Sequence, residues 1–419
     1  MQIHDVVIIG AGPAGLAAAI QCRENHLDVV VLDEFPKAGG RLLGQLHQEP
    51  NGQWWNGIEE SRALQERAEN LNTDIRLGVS VHHIERLDHQ FVVHTKKQNF
   101  TAKNVLVATG AAESAAPIPG WTLPGVMSIG AAQVMTNVHR VKVGQKGLIV
   151  GVNVLSAAIA RELQLADVDL YCMALPAPNI VTEDQSNPRA VMERLSRIAH
   201  LAPSKFIRFG SKFAKYKFVQ NLALQFYPKK GIKMWGMPIY LNKAIKQING
   251  TDKVESVTMV DVTMNGDMIP NTEEEIPVDF VCIAGGLYPL AELAAVVGCP
   301  FLYSEELGGH VPVHNEKMET PIAGIYVAGN ITGIESAKVA REQGTVAGLS
   351  IVNKELNRPE IEGKLQAAVD QVRATRDAAT IQFHPHIPEG RAKVAAAFEQ
   401  IVNKQKAEKE LEFTKERIS

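Results

Sequence analysis

The sequence predicts an α/β fold built on parallel sheets, and three observations carry that prediction. The opening "DVVIIGAGPAGLAAAIQCRENHLDVVVLDE" reads as strand, glycine turn, alanine-rich helix and strand, within the ~30 residues of a βαβ unit. The stretch "KGLIVGVNVLSAAIARELQLADVDLYCM" repeats the pattern. Three further segments, Lys103 to Ala111, Pro277 to Gly286 and Thr320 to Asn330, are apolar, strand length and stopped by small residues. Strands of an open parallel sheet end in this way where ligands collect at their C-terminal ends.

With 419 residues, 45% hydrophobic, 21% charged and 6% aromatic, the chain has room for two or three cores and excludes disorder, collagen and coiled coil. No apolar run approaches the ~20 residues of a membrane span. The strand-like "HDVVIIG" so close to Met1 leaves no room for a secretory leader, so the expected location is cytoplasmic. Cys22, Cys172, Cys282 and Cys299 form no C-x-x-C pair and stand beside no histidine at ligand spacing. That argues against a zinc site, a dithiol centre and an iron–sulfur cluster held by this chain alone.

In the first turn Gly10, Gly12 and Gly15 follow G-x-G-x-x-G. One glycine makes the tight turn, the next lets a pyrophosphate approach the backbone, and the third lets the helix pack on the strand. Asp33 ends the second strand, where a carboxylate accepts hydrogen bonds from ribose hydroxyls. The region from Gly78 to Thr101 reads as short antiparallel strands, and a helix is expected from about Ser336. In the second βαβ-like stretch Gly151 keeps the first place, but Asn153 and Ser156 hold the other two, and no acid follows Tyr171, Cys172 and Met173. A side chain at the second place blocks close approach of a pyrophosphate. This half is read as keeping the fold and losing ordinary nicotinamide binding; the alternative is a degenerate loop that still binds such a cofactor weakly.

The ordered motifs, G-x-G-x-x-G, "GGR" at Gly39 to Arg41, "ATG" at Ala108 to Gly110, a degenerate second turn and "GIYVAGN", resemble the two-dinucleotide-binding-domain flavoproteins from about Asp5 to Val352. The resemblance implies two interleaved Rossmann-like domains of glutathione-reductase type with a C-terminal helical arm. It divides the chain into a first FAD-binding part (1–116), an NAD(P)-binding-like domain (117–285), a second FAD-binding part (286–352) and the arm (353–419). It implies cofactor contacts at Gly10, Gly12, Pro13, Ala14, Gly15, Asp33, Glu34, Gly40, Arg41, Val81, Ala108, Thr109, Gly110, Gly329, Asn330 and Ala337. Asn330 stands where the family usually has Asp: an amide still bonds a ribityl hydroxyl but removes a charge.

"PIPGWTLPGVMSIGAAQVM", Pro117 to Met135, narrows the resemblance to the α subunits of heteromeric dye-linked amino-acid dehydrogenases, among them the opine oxidases, hydrogen cyanide synthase, and the proline and D-hydroxyproline dehydrogenases. This implies FAD here and a partner β subunit of D-amino-acid-oxidase type that oxidises the amine. Many such α subunits end in a cysteine-rich [2Fe–2S] domain, whereas no cysteine follows Val352. FMN or a [2Fe–2S] cluster would then sit at an interface supplied mainly by partners, among them a small [2Fe–2S] subunit. The rival readings are a stand-alone FAD-dependent NAD(P)H oxidoreductase and a non-catalytic nucleotide-binding scaffold. No side chain is nominated as catalytic, and no metal site is expected.

Four segments invite function beyond these motifs. From Arg194 to Thr251 there are twelve Lys and Arg and no acid, a +12 stretch in a remainder of −15. Within it Phe206, Phe209, Phe213 and Tyr216 recur at helical spacing, each one place after Lys205, Arg208, Lys212 or Lys215. The structural alternative is a packed helix with solvated lysines. The functional reading is docking to an acidic partner, with peripheral membrane contact second and nucleic acid not expected. His384 and His386 in "FHPHIPEG" lie in an expected extended loop without a third ligand. Trp54 and Trp55 suit a flavin cover, a subunit contact or plain packing. The stretch from Arg391 reads as a surface helix or partner-wrapping arm.

Overall fold

A computed structural model describes residues 2–49, 52–88, 90–196, 224–379, 383–384 and 386–418. The aromatic and basic stripe from Lys205 to Tyr216 lies outside the described residues. Contacts divide the rest into two units: one runs to Leu42, resumes over Gly57–Ala112 and again from Tyr288, and the other comprises Leu43–Asn56 and Glu113–Leu287.

In the first unit the strands Asp74–Leu77, Val29–Asp33, Ile3–Ile9 and Asn99–Val107 lie side by side in that order, all parallel. Asn99–Val107 then divides its free edge. Its first half pairs antiparallel with Phe91–Thr95, which carries Val81–Arg86, and its end, Val105 to Val107, pairs in parallel with Ile325–Val327. The order of the parallel strands is that of a doubly wound sheet, and the short antiparallel strands expected between Gly78 and Thr101 are present.

The helix Pro13–Glu24 buries eight residues, from Ala14 to Cys22, because helices and sheet surround it. Its alanines let the helix Ala337–Leu356 come very close: a Cβ on Gly344 would stand 2.0 Å from the Ala14 carbonyl oxygen, and one on Gly348 2.7 Å from that of Ala18. Ser336 caps this second helix by accepting the Val339 N–H at 3.3 Å, so the helix starts where the sequence placed it. Pro359–Asp377 follows, then Ile387–Ile418. The extended loop expected through Gly390 therefore ends at Ile387. Pro388 falls in the first helical turn, where its missing N–H costs nothing.

In the second unit Val126–Ser128, Phe280–Ile283, Lys146–Val150, Asp169–Pro176 and Met237–Asn249 are parallel neighbours, extended by antiparallel Ser256–Asp261 and Glu274–Pro277. The central strands are buried on both faces, which explains their unbroken apolar runs. Residues 43–56 join this unit as a hairpin, Leu46–Gln48 against Trp54–Asn56. The hairpin is pinned by Leu46 N–H to the Glu162 carboxylate at 3.2 Å. Trp54 is exposed, and Trp55 donates its indole N–H to Gln45 at 3.2 Å.

Candidate functional site

Four glycine-bearing segments converge at the C-terminal ends of the first unit's strands. Gly10 has φ +109°, and a Cβ there would lie 2.4 Å from the Ala108 carbonyl oxygen. A Cβ on Gly15 would lie 1.8 Å from the Gly10 carbonyl oxygen, whereas one on Gly12 would meet nothing within 4 Å. The first and third glycines are thus dictated by packing, and the second faces open space at the start of a 12-residue helix. This division of labour is what an approaching pyrophosphate requires.

Around that turn, Ala11 donates its N–H to Asp33 Oδ2 at 2.6 Å and accepts the Gly39 N–H at 2.8 Å. Gly40, with φ +54°, brings its Cβ position to 3.2 Å from the Gly12 Cα, so "GGR" lies against the glycine turn. Arg41 Nε reaches back to the Ala111 carbonyl at 3.2 Å. Ala108 continues the strand ladder by donating to Ile9. Thr109 donates its hydroxyl to the Leu290 carbonyl, and Gly110 faces open space. A Cβ on Gly329 would stand 3.1 Å from that of Ala14. Pro13 and Ala14 form the first turn of the helix. Asp33 also accepts the Phe35 N–H at 2.8 Å; its burial pushes the carboxyl above the usual range despite both backbone donors.

Four expected residues stand at the margin. Glu34 is exposed, touched by the Ser80 hydroxyl at 3.5 Å, and Val81 opens the strand that follows. Ala337 begins its helix behind the Ser336 cap. Asn330 accepts the Glu335 N–H through Oδ1 at 3.3 Å, leaving its NH2 as a donor.

Two side chains beside this cradle carry roles that the sequence motifs do not announce. Gln343 is 1% exposed and accepts the Gly329 N–H at 3.0 Å, while its Nε2 has no partner among the described residues. The open faces of Gly12 and Gly110, in contrast, leave room beside the glycine turn for a polar ligand. Glu335 is buried between Arg376, at 2.5 Å, and Arg391. Burial opposes its ionisation, but the two guanidinium groups hold the carboxyl below its usual value. Arg391 also donates to the Thr332 carbonyl at 2.7 Å and meets His314 Nε2 at 3.2 Å, tying the C-terminal helix to the loop after Gly329. A polar residue on the buried face of a helix, as Gln343 is between Ala340 and Ala347, was the available signal.

The second unit's turn is built differently. Asn153 Oδ1 accepts the Ser156 N–H at 2.9 Å, Ser156 Oγ accepts the Asn153 N–H at 2.9 Å, and Asn153 Nδ2 donates to the Ala284 carbonyl at 2.9 Å. This reciprocal cap uses from within two N–H groups of a helix end that would otherwise face a phosphate. All four cysteines are buried. Burial pushes the Cys172 and Cys282 thiols up to about 12 and Cys299 to about 11, and raises Cys22 as well, so none is a reactive thiolate. Among the described residues no three His, Cys, Asp or Glu could hold a metal ion, and no helix is long and apolar enough to cross a membrane. His386 bonds Glu389 at 3.1 Å.

Fold and cradle define a two-domain, dinucleotide-binding flavoprotein oxidoreductase. The pattern of the pyridine nucleotide-disulphide oxidoreductase family matches residues 4–344, and the chain belongs to that family and is an FAD-dependent oxidoreductase. An opine oxidase subunit of Agrobacterium tumefaciens is 26% identical over 361 residues, covering 83% of this chain. Hydrogen cyanide synthase subunit HcnB of Pseudomonas aeruginosa is 24% identical over 359 residues, covering 83% of this chain and 70% of its own length. The chain spans only 65% of the length of that opine oxidase polypeptide. Among solved structures, L-proline dehydrogenase of P. horikoshii is similar with a TM-score of 0.61 at 21% identity, covering 87% of this chain and 59% of its own. Thioredoxin reductase of T. acidophilum is similar with a TM-score of 0.60 at 21% identity, covering 85% of this chain and all of its own. The sequence relatives are named as subunits of oxidases and a synthase, and this chain is similar to such subunits.

Proposed function

We propose that the chain is the FAD-containing α-type subunit of a multi-subunit amino-acid or opine dehydrogenase, of the proline or hydroxyproline kind. A partner flavin subunit of D-amino-acid-oxidase type takes electrons from the amine, and this subunit passes them onward in the cytoplasm. A small [2Fe–2S] subunit, or an FMN at a shared interface, completes the path. Bound FAD supplies two-electron acceptance and one-electron release. The chain's own part is to hold and tune it. Gly12 with the first turn of Pro13–Glu24 takes the pyrophosphate, Asp33 with Glu34 and Val81 the adenosine end, and Gly40, Arg41 and Ala108 to Gly110 the flank. Gly329, Asn330 and Ala337 take the ribityl and flavin end. The domain boundaries at 116, 285 and 352 belong to this reading.

The observation that carries the proposal is the reciprocal cap of Asn153 and Ser156. It closes the turn where a nicotinamide nucleotide would enter, while the first turn stays open, so reducing equivalents come from elsewhere. The buried cysteines remove a disulfide substrate as the alternative partner of the flavin.

Purification of the chain from its native cells tests this. Co-elution with a second flavin-bearing chain, and dye reduction by an amino acid or opine only when both are present, is the expected result. A chain that elutes alone and oxidises NADH contradicts it.

A further inference from the structure

The strand Asp169–Pro176 ends where, in a nucleotide-binding unit, an acid would meet the adenosine ribose; here it runs into Ala177, Pro178, Asn179, Ile180 and Val181. Ile180 is 98% exposed and Val181 58%. The loop that presents them is firmly built. Asn179 Oδ1 accepts the Val181 and Thr182 N–H groups at 2.9 and 3.0 Å, and the buried Thr182 hydroxyl donates to the Ala177 carbonyl at 2.6 Å. Asn179 Nδ2 donates to the Pro117 carbonyl at 2.8 Å, which sets this loop beside the turn carrying exposed Pro119 and Trp121.

Both stretches lack charge. No Asp, Glu, Lys or Arg occurs from Ser114 to Val138 or from Leu170 to Thr182. An exposed apolar patch with an aromatic in it and no charge at its centre has the composition of a protein interface core. Holding Ile180 in place beforehand lowers the ordering cost of contact.

Charge at the rim selects the occupant. Glu183 and Asp184 follow directly and are exposed. Glu183 makes no ion pair among the described residues, and Arg194, 3.6 Å from Asp184, leaves that side chain 74% exposed. On the neighbouring strand Lys243 and Lys246 are committed to Asp261 at 2.7 Å and Glu273 at 3.1 Å. The rim is therefore acidic. An anionic lipid surface is repelled by it, and a two-fold pairing of the patch with itself brings acid against acid. A different polypeptide, with basic side chains around an apolar hollow, is the complement.

We propose that Ile180, with Val181 and Trp121 beside it, is the knob by which the second unit docks the flavin-bearing partner subunit, in an apolar pocket rimmed by Lys or Arg. This rests on the reading of the chain as a subunit, argued above.

The test uses the full chain, expressed in its native cells with a small diazirine amino acid at position 180, and the complex it forms there. Irradiation should join position 180 to the flavin-bearing partner, at a segment where apolar residues lie beside Lys or Arg. Ile180→Asp should weaken the complex about thirtyfold or more, as read by its dissociation on dilution. Glu183→Lys, which reverses the rim, should weaken it too. Neither change should move the chain's own melting temperature or flavin content, and the cross-link stands as the second readout should a variant not fold. Cross-linking to a second copy of this chain or to lipid, no cross-link in an intact complex, or an Ile180→Asp complex as tight as wild type overturns the docking proposal alone. Wild-type chain that elutes with no partner overturns the subunit reading with it.

Discussion

Asn153 and Ser156 bond each other in both directions, each side chain accepting the other's backbone N–H at 2.9 Å. A helix N-terminus holds a phosphate through free N–H groups, and here two are already used by the chain itself. The contrast with Gly12, which caps its helix without any side-chain bond, separates an open nucleotide turn from a closed one within a single chain.

Removing the cap tests its structural weight. Asn153→Ala should destabilise the protein by about 1–2 kcal/mol and leave flavin content unchanged, as read by thermal melting and the visible spectrum. If Asn153 lines a working nicotinamide site, the variant instead changes NADH affinity.

Gly12 and Gly15 separate binding from packing. Gly12→Ala places a methyl group in open space, so apo-protein stability should stay within about 0.5 kcal/mol while FAD affinity falls about tenfold or more. Gly15→Ala drives a methyl group into the Gly10 carbonyl and should cost about 3 kcal/mol or prevent folding. Melting curves and flavin titration of both variants check this; equal effects on both readouts would contradict the division of roles.

Much of this was legible in the sequence, and the reasons are physical. A strand followed by glycines at fixed spacing has few alternatives, so both βαβ units, the ends of three parallel strands and the start of a helix near Ser336 are found where the pattern places them. The excursion of residues 43–56 to the second unit carries no such signal, because it depends on the distant carboxylate of Glu162. Gln343 and Glu335 belong to no motif, and their roles emerge only when the partners Gly329, Arg376 and Arg391, up to 56 residues away, are brought to them. Pro388 misled for a local reason: a proline in a first turn and one in a loop look alike in sequence.

Glu162 gives the second unit a pH signature. Burial raises its carboxyl to about 7, against the amide donors of Gln133, Asn137 and Leu46. A carboxyl whose pKa is raised on folding stabilises the fold at low pH and withdraws that stability as pH rises through the folded value. The Glu162 contribution to stability should therefore fall by about 2–3 kcal/mol between pH 5 and pH 8. Denaturant titration of wild type and Glu162→Gln at both pH values checks this: the difference between the two chains should change by that amount.

His314 acts in the opposite direction. Its burial and the neighbouring Arg391 depress the imidazole to about 3, so it stays neutral in the folded chain. Its contribution is complete above about pH 6.5 and is lost as pH falls, by about 2 kcal/mol at pH 5. Glu335, held ionised by its two arginines, adds to the loss in stronger acid. Hydrogen exchange should show the helix Ile387–Ile418 opening as pH falls. Arg391→Met, which leaves Glu335 with half its charge partners, should open that helix at neutral pH.

The most direct test of the account is the anaerobic visible spectrum of the purified chain before and after adding NADH and then NADPH. Flavin bands that persist with both nucleotides and bleach with dithionite are predicted by an open first turn and a self-capped second one. Rapid bleaching by either nucleotide, or a colourless protein that takes up no FAD, contradicts it.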